Sequence, residues 1–488
     1  MTTDPTDRPP APPVAGPATE QGVLSGRRIT LITLIVALAA FMEMLDASVL
    51  VTAIPAMAKS FGASPLDLGV GITAYVMAIA ILLPASGWLA DRIGARRLFV
   101  SALLAFSLSS VLCGLSQTLP QFVAARVLQG LSGAVLGPVG SIILMRIIAR
   151  RDLLRMMNIF SAPMLIAPVL GPPIGGLVTT WFGWSWIFFL NLPVGLAGAL
   201  LAWRFIPRQA QLRRPLDTLG FVLNAVALGG LIYGFGELGA GSLSRPAAVA
   251  VIAAGLGFGV AAVRHARRTP HPLFSLRAAG NATFRLTSIV ALPFMRLPIT
   301  TLPFVLPIML QVGFGMTALA SGMLFLAHTL GDLLTKLATT RTFGRFGYRD
   351  TMIASVIGFA AVVAACGLFS SATPLAVMAV LLFVGGCFRS FLGSGMGTLS
   401  YAEIRTEDMA SATTFNLVLL YLVQAIGISL MVLVIDTATR MRGGSLVDAG
   451  DCRGALVAVA AVSLLALWPL SRLRPDAGAE ISGHRARG

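Results

Sequence analysis

The chain has 488 residues, 56% of them hydrophobic and only 11% charged, with a mean hydropathy of +0.85. No water-soluble core hides that much apolar surface, so the composition excludes a soluble enzyme or a soluble binding domain and demands a bilayer. The formal net charge of +16 does not indicate nucleic acid, because the cations are spread between apolar runs instead of forming one patch.

A bilayer span needs about 20 mostly apolar residues, and such runs follow one another along the chain. Residues 1–27, rich in Pro, Ala and Thr, are expected to be a disordered cytoplasmic tail. Spans are predicted at 29–50, 68–90, 98–115, 122–148, 156–179 and 186–203, making a first bundle within 28–206. The first run is too long for a signal-peptide core and ends in Thr52-Ala53-Ile54-Pro55, so no cleaved leader is expected. Two further spans, 219–236 and 247–263, and a basic cytoplasmic segment occupy 207–285. A second bundle within 286–472 holds spans at 286–311, 318–338, 352–368, 375–398, 413–435 and 455–470, followed by a cytoplasmic tail, 473–488. The fold class expected is an all-α integral membrane protein with fourteen transmembrane helices, ordered six, two and six.

Arginines alternate between loops. They cluster at Arg27 and Arg28, at Arg92, Arg96 and Arg97, at Arg146, Arg150, Arg151 and Arg155, and at Arg204, Arg208, Arg213 and Arg214. Further clusters are Arg264, Arg267, Arg268 and Arg277, then Arg341, Arg345 and Arg349. The positive-inside rule puts these loops and both termini in the cytoplasm. Arg440, Arg442 and Arg453 fall on the opposite side, offset in part by Asp436, Asp448 and Asp451. Cys113, Cys366 and Cys387 lie in apolar runs and Cys452 in an outer loop, a spacing that suggests neither a disulfide framework nor a metal site.

Glu43 and Asp46 stand three residues apart, deep in the first span and on neighbouring parts of one helix face. Burial and mutual repulsion both disfavour their ionised forms, as a proton carrier near neutral pH requires; which of the two titrates stays open, as does a purely structural role. Arg126, in the fourth span, is followed by Gln129, Gly130, Gly133 and Gly137, a polar group beside a stripe of small residues. A buried guanidinium needs an anionic or carbonyl partner, and a carboxylate of the first span would serve. Between the second and third spans, Gly87, Asp91, Arg92, Gly94 and Arg97 form a short charged loop suited to a cytoplasmic gate. A partial counterpart, Arg341-Thr342-Phe343-Gly344-Arg345-Phe346-Gly347-Tyr348-Arg349, follows the tenth span with Gly344 in place of the aspartate. Such repeats are typical of secondary transporters, whose two bundles rock about a midplane site.

The fifth span carries Gly171-Pro172-Pro173-Ile174-Gly175-Gly176, helix breakers and small residues whose use at membrane depth is close helix contact. In the second half, Arg296, His328, Asp332 and Arg389 are polar groups at membrane depth, either structural or facing a cavity together with Gln129. His328, Asp332 and Lys336 share a helix face, and mutual neutralisation of Asp332 and Lys336 is preferred to substrate contact. Prolines 293, 298, 303 and 307 are expected to bend the ninth span.

Four motifs occur in a recognisable order: Leu45-Asp46-Ala47-Ser48-Val49-Leu50-Val51-Thr52-Ala53-Ile54-Pro55, the segment from Gly87 to Arg97, Arg126-Val127-Leu128-Gln129-Gly130, and the Gly171 to Gly176 cluster. On these residues, with Trp184-Ser185-Trp186-Ile187-Phe188-Phe189-Leu190-Asn191-Leu192-Pro193-Val194-Gly195 and Leu306-Pro307-Ile308-Met309-Leu310-Gln311, the chain resembles the fourteen-span drug:proton antiporters of the major facilitator superfamily, of the EmrB and QacA type and similar to MdtD-like members. The resemblance implies two six-helix bundles with two extra central helices, and proton-coupled export of amphipathic drugs or toxic organic compounds by alternating access. By position it assigns proton coupling to Asp46 with Arg126, the gate to Asp91 and its arginines, and antiport motion to Gly171, Pro172, Gly175 and Gly176. Thr52, Ala95 and Gly344 depart from the family's usual residues. The implied protein is not an enzyme and has no cofactor, takes its energy from the proton-motive force, and sits in the inner membrane with small organic substrates and the lipid bilayer as partners. Export of a native metabolite or siderophore is the alternative. A sensor or membrane enzyme would need an output domain or a nucleophile–base cluster, and the sequence suggests neither.

Overall fold

A computed structural model describes residues 26–148, 152–208, 211, 215–240, 243–270, 272–273, 276–405, 408–443, 447–474 and 476–482. The expected tail 1–27 lies outside the described residues up to position 25, as do 483–488 and the topological arginines Arg150, Arg151, Arg213 and Arg214. Thirteen helices among the described residues are long and apolar enough to cross a bilayer. They are α1 (Gly26–Phe61), α2 (Leu68–Ile93), α3 (Ala95–Leu115), α4 (Leu119–Ile147), α5 (Leu153–Trp181), α6 (Trp186–Phe205), α7 (Thr218–Ala240), α8 (Arg245–Arg268), α9 (Ala282–Gly313), α10 (Ala318–Cys366), α11 (Leu375–Leu399), α12 (Met409–Met441) and α13 (Ala449–Ser471).

Two of the predicted spans are continuous in α10. Its 49 residues would reach about 74 Å at 1.5 Å per residue, against about 30 Å of hydrocarbon, so it must turn back. Gly347 provides the break, with φ 75° and ψ 166°. The chain thus makes fourteen crossings of a multi-pass membrane protein. Gly347 also completes the internal repeat, because its counterpart Gly94 turns the chain between α2 and α3 with φ 94°. Only glycine adopts such backbone without strain, so the repeat keeps its turn in both halves after losing its carboxylate in the second.

Other boundaries follow local chemistry. Thr317 caps α10 by accepting from the Ala320 N–H, and Asp448 and Asp451 form a reciprocal capping box on α13. α1 continues past its expected end at 50 to Phe61 and accommodates Pro55, because Ala53, Ile54, Met57 and Ala58 are all buried and tertiary packing holds the extra turns. α9 carries its prolines on an irregular path, with π-helical stretches at Arg285–Ala291 and Met309–Gly313.

Helices α1–α6 and α9–α13 make the two halves, while α8 packs on α7, and α7 on α2 and α12. Two seams join the halves, α5 against α10 and α2 against α12. At the arginine-poor end, Val49, Ile54, Met57, Phe122 and Phe188 share one core with Leu302, Val305 and Leu456 of the second half. A separate core around Ile32, Phe99, Phe106 and Ile143 fills the arginine-rich part of the first half. Gln311 Nε2 donates to the Thr52 carbonyl at 3.0 Å across the arginine-poor end, so the halves are latched there. Two of the three arginines that sit badly with the charge pattern are neutralised locally and the third is held by backbone carbonyls. Arg440 pairs with Asp436 at 2.8 Å, Arg442 with Asp448 and Asp451 at 3.1 and 2.8 Å, and Arg453 donates to the Gly367 carbonyl at 2.8 Å.

Candidate functional site

The densest polar cluster lies midway along α1. One carboxylate oxygen of Asp46 accepts from Arg126 Nη1 of α4 at 2.8 Å; the other accepts from Gln129 Nε2, also of α4, at 2.9 Å and from Asn191 Nδ2 of α6 at 2.7 Å. Ser110 of α3 accepts from Gln129 at 2.7 Å and from Asn191 at 3.2 Å, and Arg126 also donates to Gln129 Oε1. Three helices of one half, α1, α4 and α6, therefore meet on one carboxylate, and α3 braces the two amides through Ser110. Arg126 and Asp46 side chains are each 1% exposed, so the pair is sealed from water. Burying both charges is costly, and the neutral donors on the second oxygen help to offset that cost.

Arg126 lies 4.1 Å from the centre of the Tyr75 ring of α2, whose face stabilises the cation. Gly130 permits this approach, since an added Cβ would come within 2.8 Å of the Ala78 Cβ. Arg126 Nε has no hydrogen-bond partner, which leaves Asp46 as the anion on which this guanidinium depends among the described residues. Glu43 is buried one turn earlier on α1, beside Tyr75. Its Oε1 and the Tyr75 hydroxyl stand 3.5 and 3.2 Å from where a Cβ on Gly133 would be. No hydrogen bond or ion pair reaches Glu43 among the described residues, so the two carboxylates face different environments. Asn191, Ser110 and Tyr75 complete the site and are not picked out by sequence reading. Asn191 reaches Asp46 across 145 residues of chain, and the available signal was a lone amide in an apolar run.

At the arginine-rich end, Asp91 accepts from Arg146 Nη2 of α4 at 2.7 Å and not from its own loop arginines. Arg92 and Arg97 are exposed, while Arg96 stacks on Trp203 at 4.6 Å and donates to the Ile206 carbonyl at 3.4 Å. Gly94 makes the turn. Gly87 has open space around an added Cβ, so no close approach requires glycine there in this conformation.

The breaker cluster divides its glycines between two partners. Added Cβ atoms at Gly171 and Gly175 would strike Ser48 and Val49 of α1, inside the first half, the latter at 2.6 Å from the Val49 carbonyl oxygen. At Gly176 the Cβ would stand 2.6 Å from the Ala318 carbonyl oxygen of α10, across the seam between halves. Gly322 answers from α10, within 2.9 Å of the Pro172 carbonyl carbon. Pro163, Pro168, Pro172 and Pro173 all sit inside a continuous α5.

Asp332 of α10 pairs with Arg389 of α11 and, at 3.8 Å, with Lys336, so Arg389 is the closer partner and Lys336 the secondary one. Asp332 and Arg389 line a cavity at the α5–α10 seam. Three of the expected cavity residues do not line it: Arg296 of α9 is absent from its walls, Gln129 is locked in the Asp46 network, and His328 packs between Phe325 and Phe359 with Nδ1 at 3.1 Å from the Leu382 carbonyl. Gln129 and His328 are both buried, Gln129 with its amide fully engaged and His328 with Nδ1 held by a backbone carbonyl. Arg296 of α9 is partly exposed, with Nε buried and unpartnered. Among the described residues no group of His, Cys, Asp and Glu is arranged to hold a metal ion.

Residues 36–297 match the family model described as Major Facilitator Superfamily. A protein of Cronobacter sakazakii named for multidrug resistance, MdtD, is 34% identical over 420 residues, covering 86% of this chain and 88% of its own length. Its namesake in Klebsiella pneumoniae strain 342 is 35% identical over 397 residues, covering 81% and 84%. Among solved structures, an auto-inhibited peptide transporter of the POT family superposes with a TM-score of 0.67 at 15% identity, over 92% of this chain and 97% of its own. A D-xylose–proton symporter gives 0.65 at 13% identity, over 92% and 98%. At those identities the structural likeness concerns the fold.

Proposed function

Because the chain belongs to the major facilitator superfamily, we propose that it is a secondary active exporter, exchanging protons for amphipathic organic compounds, drugs among them, by alternating access. The observation that carries this reading is the sealed Asp46–Arg126 pair, whose carboxylate is also held by amides from α4 and α6 that Ser110 of α3 braces. Names of the relatives support the cargo class, and the charge pattern supports an inner-membrane protein with its arginine-rich end in the cytoplasm.

Ionised, Asp46 attracts Arg126 strongly in a medium of low dielectric and holds α1 to α4. A proton arriving at the Asp46 carboxylate removes that attraction, leaving Arg126 to Tyr75 and Gln129 and freeing α1 to shift against its neighbours. Two other contacts of α1 then respond. It packs on Gly171 and Gly175 of α5, and its Thr52 carbonyl holds the latch to Gln311. The proton at one carboxylate is thereby linked to the seal at the arginine-poor end, as exchange requires. Glu43, buried one turn earlier on α1 beside Tyr75, is the second protonatable group of this helix. The driving force is the proton gradient, with no bond in the cargo made or broken and no cofactor used.

The test is efflux of dyes and of native metabolites from proteoliposomes under an imposed pH gradient, with proton counterflow recorded. Gradient-dependent flux that disappears in Asp46→Asn is expected. Flux without proton movement, or full exchange by Asp46→Asn, overturns the reading.

A further inference from the structure

A cavity of about 340 Å³ runs along α8, lined by Gly257, Val260, Ala261, Arg264, His265 and Arg268. These positions follow i, i+3, i+4, i+7, i+8 and i+11, which is one face of a helix. The opposite face is the one that packs. Ala248 and Ala262 are buried, and an added Cβ on Gly230 or Gly234 of α7 would stand 3.2 Å from the Gly255 Cα or 2.6 Å from the Ile252 Cγ1. Only 17% of the apolar window of α8 is buried, against 72% in α2, so the cavity face is turned away from the protein and toward lipid.

The chemistry of this face changes with depth. Arg264 and Arg268, one turn apart at the arginine-rich end, are exposed, and neither has an ion pair or hydrogen bond among the described residues. The carboxylate beside them is already spent. Asp217, just before α7, has its side chain 6% exposed; its Oδ1 stands 2.7 Å from His265 Nε2 and accepts from the Gly220 N–H at 2.9 Å, while Oδ2 accepts from the Leu273 N–H at 3.1 Å. That knot fixes the last turns of α8 and leaves both guanidiniums uncompensated. Toward the membrane interior Val260 is exposed and Gly257 has open space where a Cβ would be, so the face becomes an apolar furrow. Gly257 lies about 16 Å from Arg268 along the axis at 1.5 Å per residue, which matches one leaflet of a hydrocarbon core about 30 Å thick.

We propose that this face of α8 is a binding site for an anionic phospholipid, its phosphate between Arg264 and Arg268 and one acyl chain over Val260, Ala261 and Gly257. Guanidinium groups present paired donors to phosphate oxygens, and the contact is stronger at the edge of the hydrocarbon than in bulk water. A soluble anion would answer the arginines and leave the furrow bare. A zwitterionic lipid would fill the furrow and bring its own cation to the arginines. An anionic phospholipid matches both ends. Because α8 packs on α7, and α7 on α2 and α12 where the halves meet, a lipid held here braces the helix pair that borders that seam.

The test is native mass spectrometry of the full chain in neutral detergent, titrated with phosphatidylglycerol or phosphatidylcholine of the same acyl chains. No gradient and no cargo are present, so the result is independent of export. The first phosphatidylglycerol is expected to bind roughly tenfold more tightly than the first phosphatidylcholine. Arg264→Gln with Arg268→Gln should weaken it roughly thirtyfold, about fivefold for each arginine at a membrane surface. Arg341→Gln with Arg345→Gln, an exposed pair of the same spacing at the same end, should leave it unchanged. Gly257→Phe fills the furrow and should weaken both lipids. Equal affinity for the two lipids, or equal losses from the two arginine pairs, overturns the site and leaves only general surface charge. Displacement by inorganic phosphate with no effect of Gly257→Phe overturns it as well, leaving a plain anion contact. Should the first glutamine pair fail to fold, the single variants decide: a loss of about fivefold in each sustains the site, and no loss in either removes it.

Discussion

Each half of the molecule holds an aspartate–arginine pair at membrane depth, and the two are built for different ends. Asp46 and Arg126 are each 1% exposed, with the second oxygen of the carboxylate filled by the amides of Gln129 and Asn191. Asp332 and Arg389 are 17% and 26% exposed, border a cavity and carry a second cation, Lys336. The first is closed and charge-balanced, so its chemistry is the gain or loss of one proton. The second is partly open and carries one cation more than it has carboxylates, so water shares in its charge. An ion pair at membrane depth thus acquires its use from the balance of charges around it and its access to water.

The largest effect that tests this contrast is on stability. Asp46→Asn preserves shape but strands Arg126, and leaving one buried partner uncompensated costs about 3–5 kcal/mol. Adding Arg126→Gln removes the stranded charge, so the double variant should recover much of the lost thermal stability and still show no gradient-driven flux. Recovery of flux together with stability would mean that the pair serves folding alone. The equivalent change on the open side, Asp332→Asn, should lower stability by only about 1 kcal/mol, because partly solvated charges are screened. A loss as large as that of Asp46→Asn would erase the distinction between the two pairs.

The seams supply the next test. Gly171→Leu forces α5 away from α1 within one half and should reduce folded yield, whereas Gly176→Leu wedges α5 from α10 between halves and should reduce flux more than yield. Yield by size-exclusion chromatography and flux in proteoliposomes compare the two. Matching losses in both measurements would deny the split in roles. The smallest effect is expected at the arginine-rich end. The partly exposed Asp91–Arg146 pair should contribute no more than about 1 kcal/mol, so Asp91→Asn should shift the thermal midpoint little, and less still at high salt. A larger loss would make that contact a structural strut.

Much of this architecture was legible in the residues. Hydropathy and loop charge are local properties, so apolar runs and alternating arginines are enough to place fourteen crossings, and the partial repeat of the 87–97 segment at 341–349 is visible as spacing alone. Residue chemistry alone also identified Glu43, Asp46 and Arg126 as groups that must find an answer in the bilayer, because an ionisable side chain there is expensive wherever its partner lies.

Only tertiary structure decided what those answers are. Asp46 is answered by Arg126, Gln129 and Asn191, 80, 83 and 145 residues away, and Glu43 by no side-chain hydrogen bond among the described residues, although the two share a helix. Packing likewise sent Gly171 and Gly175 to α1 but Gly176 to α10, buried His328 among phenylalanines, and gave Asp91 an arginine from another helix. The physical reason is one of range. Transfer into the membrane depends on each segment by itself, whereas pairing, cavity shape and charge balance depend on which faces of distant helices meet.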